Sequence, residues 1–194
     1  MKNILGTIFI FILFSSSSVL KKEQYKGVNI NTSEQYLITT NSVGVFSKEM
    51  TISDVYKIIP KDQIKIKIST GEFEEDNYED YEIYDSTGAK ILILTPKKNG
   101  DLSSKINRIL ILDNRYKTKE NIGLNSTYGD LAKHYSTNKI YTDMDHIVIE
   151  TADINAWFSI KKSDLLDGWW DGNGIDRSKI PKTAKFDQLS IWWQ

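Results

Sequence analysis

The chain has 194 residues, enough for one ordinary domain or two small repeats. Hydrophobic residues make up 40% and charged residues 26%, and the formal net charge is −1, which excludes a disordered polyelectrolyte and offers no basic block for gripping nucleic acid. Zero cysteines exclude disulfides, thiolate metal sites, a cysteine nucleophile and a lipid-modified cysteine, and two histidines, His134 and His146, leave little for a multi-histidine metal centre.

Lys2 precedes an apolar run at residues 4–14, and four serines follow at 15–18. That order predicts a secretory signal peptide over residues 1–18, with Ser16 and Ser18 as the small residues before the cleavage point. The run is shorter than the roughly 20 apolar residues that a membrane span needs. Lys21 and Lys22 support the rival reading, a retained anchor, which is the one route to membrane attachment. Residues 19–35 read as a flexible mature N-terminus, and the chain as periplasmic or secreted. Asn31-Thr-Ser33 and Asn125-Ser-Thr127 fit the N-glycosylation pattern, although Asn125 lies where a helix start is expected.

Residues 36–40 and 43–45 read as short extended pieces. Thr51-Ile-Ser-Asp54 resembles a capping box with Asp in the place of Glu, and Pro60 ends the helix it opens. Ile52, Val55, Ile58 and Ile59 form its apolar face. Residues 63–69 alternate, with Ile64, Ile66 and Ile68 predicted on a core and Lys65 and Lys67 in water. An acidic loop follows at 72–80. A hairpin comes next, 81–84 with 89–95, turning at Asp85-Ser-Thr-Gly88, where Gly88 suits positive φ. After a strand at 106–112, a second helix is expected at 127–135, weakened by about 1 kcal/mol by Gly129. Strands are expected at 140–141, 147–150 and 156–161, then a glycine-rich turn cluster at 167–174. In a final strand at 186–193, Leu189, Ile191 and Trp193 share one face and Trp192 takes the other.

Thr51, Asp54, Val55, Lys57 and Ile64 recur as Thr127, Asp130, Leu131, Lys133 and Ile140, all at one offset, 127 − 51 = 76. Gly44 and Gly123 precede the two threonines. The predicted fold class is therefore α+β: two tandem related units, each a short helix packed on an antiparallel β-meander, forming one compact body. The globular domain would span 36–194, with repeats at about 36–105 and 106–194.

Few residues invite chemistry. Asp171-Gly-Asn-Gly-Ile-Asp176 has the start of a calcium loop, but Ile175 stands where a ligand belongs and no late glutamate follows. His134 and Asp130 lie four residues apart on one helix face, half of a dyad without a nucleophile motif. The six acids between Glu72 and Asp80 read as a solvated loop. No catalytic residue, metal site or cofactor is expected. Five tryptophans stand out, and Trp169, Trp170 and Trp192 are the candidate binding residues, since surface aromatics stack on sugars or anchor proteins.

The glycine before a threonine-capped helix, the Asp85-Ser-Thr-Gly88 hairpin and Ile180-Pro181 followed by Ser190-Ile-Trp192 resemble uncharacterised duplicated domains of bacterial envelope proteins and lipoproteins. The duplicated helix-plus-meander also resembles secreted β-lactamase inhibitor proteins at the level of fold. Neither resemblance supplies catalytic residues, and fold alone does not give function; the expected function is a non-catalytic secreted or periplasmic binding or scaffold module of the cell envelope, its partner an envelope protein or a glycan. The alternatives are an inhibitor of an envelope enzyme, or a carbohydrate- or cell-wall-acting hydrolase using Asp171 and Asp176.

Overall fold

A computed structural model describes residues 34–70 and 77–193. The signal peptide, most of the N-terminal stretch, the Asn31 site and positions 72–76 of the acidic run lie outside the described residues.

Among the described residues, each of the two α-helices, α1 (Ile52–Ile58) and α2 (Tyr128–His134), has seven residues, too few to persist alone. Their first amides are therefore met one by one. In α1, the Ile52 and Ser53 N–H groups donate to the carbonyls of Ser104 at 3.0 Å and Leu102 at 2.8 Å. In α2, Tyr128 and Gly129 donate to Ala184 at 2.9 Å and Lys182 at 2.8 Å. The third amide, of Asp54 or Asp130, donates to the Thr51 or Thr127 hydroxyl at 3.2 Å, and each aspartate accepts from the threonine N–H at 3.1 Å. Both expected caps are thus formed. The cost of Gly129 has a counterpart here, since a Cβ at that position would lie 2.8 Å from the Lys182 oxygen. Thr127→Ala should lower stability by about 0.5–2 kcal/mol, read as a shifted urea midpoint at unchanged slope.

Behind the helices, eight strands form one sheet in which all neighbours run antiparallel: β4 (Ile64–Thr70), β5 (Asn77–Tyr84), β6 (Lys90–Pro96), β7 (Ile106–Ile111), β9 (Lys139–Asp143), β10 (His146–Thr151), β11 (Ala156–Lys161) and β12 (Gln188–Trp192). The order is β4-β5-β6-β7-β12-β11-β10-β9. A smaller sheet, ordered β3-β2-β1-β8, joins β1 (Leu37–Ile38), β2 (Ser42–Val43), β3 (Phe46–Ser47) and β8 (Lys117–Thr118). The fold class is α+β.

The register explains the core. Ile64, Ile83, Leu92, Ile111, Leu189, Phe158, Ile149 and Ile140 stand opposite one another in a single row, one from each strand. This face belongs to one apolar cluster with Ile52 and Val55 of α1, Leu131 of α2 and Ile38, Val43 and Phe46 of the small sheet. Ile93, Leu110, Tyr141, Trp157 and Trp192, which point the other way, are not part of that cluster. No helix among the described residues is long and apolar enough to cross a membrane.

Three features depart from the sequence reading or sharpen it. Ile66 and Ile68 are 53% and 70% exposed rather than buried. A seven-residue helix covers about 10 Å, whereas seven strand residues span about 23 Å, so α1 shields only the start of β4. Glu79 and Asp80 lie within β5 rather than in a loop. At the β5–β6 turn, Gly88 has the expected positive φ of 83°, and the Asp85 carboxylate accepts from the N–H groups of Thr87 and Ala89.

Candidate functional site

The site grows from the parity of β12. Leu189, Ile191 and Trp193 are buried, whereas Trp192 lies half-buried on the opposite face. Its indole N–H donates to the Ser190 hydroxyl at 2.9 Å, which fixes the ring angle. Trp157 of β11 stacks on it with centroids 4.6 Å apart and planes at 27°. From β7, on the other side of β12, the Arg108 guanidinium lies 5.4 Å from the ring centroid. Trp157 and Arg108 thus reach Trp192 from the two strands that flank β12.

The contacts run on in both directions. Arg108 donates to the Thr95 hydroxyl at 2.9 and 3.2 Å and stands 3.6 Å from Asp80, and Thr95 donates to Asp80 at 2.5 Å. Beyond Trp157, Tyr141 of β9 meets that ring edge-on at 6.0 Å, and the Lys139 ammonium lies 4.9 Å above Tyr141. Burial, then Glu150 and Asp143, push the Tyr141 hydroxyl up to about 12, so it stays a neutral donor. The result is a ladder of side chains, Asp80–Thr95–Arg108–Trp192–Trp157–Tyr141–Lys139, laid across the sheet from β5 to β9.

Charged clusters flank it. Glu82 accepts from Lys90 and from the Tyr84 hydroxyl, both at 2.7 Å, and these bonds hold its carboxyl below the usual range. Asp187 meets His146 at 2.9 Å and Lys161 at 3.1 Å, and these two likewise lower its pKa. Two clefts border Trp192. One, of about 310 Å³, lies toward Asn138, Glu150 and Asn155; the other, of about 470 Å³, lies toward Asn99, Asn107 and Arg108.

Of the candidate residues, only Trp192 belongs to this surface. Trp169 is half-buried against the core beneath Lys162, and Trp170 is 49% exposed beside it, ring centroids 6.1 Å apart. Neither lines a cleft beside Trp192. Asp171 accepts from the N–H groups of Asn173 and Gly174, closing the glycine-rich turn. Asp176 accepts from the Ser178 hydroxyl and N–H, which lower its pKa, the opposite of what a general acid needs. Among the described residues, no group of three or more His, Asp or Glu could hold a metal ion. His134 is exposed, while Asp130 is engaged by Thr127 and Lys133.

The sequence reading missed Trp157, Arg108 and Tyr141. Each sits at an outward position of a predicted strand, but their meeting depends on strand order.

No family model matches the chain, and no curated protein matches it in sequence. The fold is similar to the crystal structure of the uncharacterized protein yfeY from Escherichia coli, with a TM-score of 0.53 and 11% identity, covering 80% of this chain and 99% of that one. At that identity the likeness concerns fold alone.

Proposed function

We propose that this chain is a non-catalytic binding module that recognises a folded protein partner on the helix-free face of its eight-stranded sheet. The observation that carries the reading is the Arg108–Trp192–Trp157–Tyr141 ladder, an aromatic strip held rigid at the middle of a broad face. Seven strand spacings make that face about 34 Å wide, the scale of a protein interface. Pre-ordered aromatics lose little entropy on binding, and a charged rim around an apolar centre is the usual anatomy of such surfaces. Trp192 is already in contact with Trp157 and Arg108, which favours recognition by the whole strip over stacking of a sugar on this one ring. In this reading the partner is an envelope protein in preference to a glycan, and the module acts as its scaffold or inhibitor.

Two tandem related units build this face. Each is a capped helix followed by four strands: α1 with β4 to β7, and α2 with β9 to β12. The paired amide bonds support the duplication. Ile52 to Ser104 and Ser53 to Leu102 reappear as Tyr128 to Ala184 and Gly129 to Lys182, with donors 76 apart and acceptors 80 apart (184 − 104 = 182 − 102 = 80). In this reading β7 closes the first unit instead of opening the second, and the units meet where β7 pairs with β12. Export through the N-terminal segment, with delivery to the periplasm or beyond, is supported by Lys2, the apolar run and the serines at 15–18.

Capture from an envelope extract tests the reading. Wild-type chain should retain one or a few proteins that Arg108→Ala and Trp157→Ala lose, with affinity down by roughly 30-fold as for an aromatic or arginine hot spot. The exported chain should lack residues 1–18 by intact mass. Capture that ignores both substitutions, or elution by soluble glycan alone, would overturn the face; a membrane species retaining Met1 would overturn cleavage.

A further inference from the structure

We propose that the outer edge of β4 is a second binding site, which accepts an extended segment of alternating apolar and acidic residues as a ninth strand. Among the described residues β4 pairs only with β5, so every other residue directs its N–H and C=O groups outward. Next to that row lies apolar surface that is exposed among the described residues. Ile66 is 53%, Ile68 70% and Leu102 51% exposed, and a cleft of about 620 Å³ runs between α1 and β4, lined by Tyr56, Lys61, Ile66, Tyr81 and Leu102. The opposite edge differs: Ile140 of β9 packs against the core.

Charge selects the occupant. Lys65 and Lys67 stand on the other face of β4, exposed, and among the described residues neither enters an ion pair. Their cross-strand neighbours on β5, Glu82 and Asp80, are engaged with Lys90 and with Thr95 and Arg108. A strand added with its apolar side chains over Ile66 and Ile68 turns its alternate residues toward the two lysines, and carboxylates there complete two cross-strand pairs. A second copy of this chain fits worse, because matching the isoleucine faces of two β4 strands sets lysine against lysine.

The probe is a short capped peptide alternating Glu and Val, added to the full chain, with a Lys-Val peptide as control. The Glu-Val peptide should protect β4 backbone amides from hydrogen exchange and bind at least about tenfold more tightly than the control. Lys65→Glu with Lys67→Glu should invert that preference, and alternate N-methylation of the peptide should abolish binding. The double variant sets like charges opposite Glu82 and Asp80, so its fold is checked by thermal melting, and Lys65→Gln with Lys67→Gln, which adds no like charge, should erase the preference for the Glu-Val peptide. Unprotected β4 amides at saturating peptide, equal binding of both peptides, or protection that rises with protein concentration without peptide would each overturn the proposal.

Discussion

A chain ending before Phe186 is expected to aggregate instead of folding. β12 lies between β7 and β11, so its loss strips a partner from two central strands and parts the sheet in the middle. The missing segment also carries Phe186, Leu189, Ile191 and Trp193, none more than 6% exposed. At about 1.5–3 kcal/mol for each buried side chain, their removal costs about 6–12 kcal/mol, against a typical total stability of about 5–15 kcal/mol. Far-UV circular dichroism and light scattering decide the matter: a monodisperse truncated chain with a cooperative melt would refute the central role of β12.

The second large effect separates two adjacent tryptophans. Trp193 is 1% exposed, its indole N–H donates to the Thr40 carbonyl at 3.2 Å, and its backbone N–H donates to Asn107 at 2.8 Å. Trp193→Ala should leave a cavity and cost about 3–5 kcal/mol. Trp192→Ala removes one stacked pair and one cation–π contact, worth together about 1–2 kcal/mol, and leaves no buried void. Denaturant titration should rank the variants in that order, while partner capture ranks them in reverse, since only Trp192 lies on the proposed face. Equal destabilisation would make both rings core and remove the surface role.

What was legible in the sequence is what depends on neighbours along the chain. Thr51 with Asp54 and Thr127 with Asp130 are three positions apart, and a capping box needs nothing else. The sidedness of Trp192 and Trp193 follows from the two-residue period of a strand. Arg108 over Trp192 and Tyr141 against Trp157 were hidden, because each contact requires a strand order that no local pattern encodes. Ile66 and Ile68 misled for a related reason: their alternation is that of a half-buried strand, but the helix meant to cover them is too short. Trp169 and Trp170 drew attention by composition alone, and they sit in a turn tied off by Asp171.

The position of β12 also has a consequence in time. β12, at the centre of the sheet, is made after every other strand among the described residues, and its pairing with β7 joins residues such as Ile109 and Ile191. Trp193 reaches Thr40 across 153 positions of sequence. Closing loops of that length precedes any reward from the contacts they allow, so slow folding is expected. Until residues 188–192 emerge, β7 and then β11 each keep an open edge, and the nascent molecule exposes strand borders that the folded one conceals.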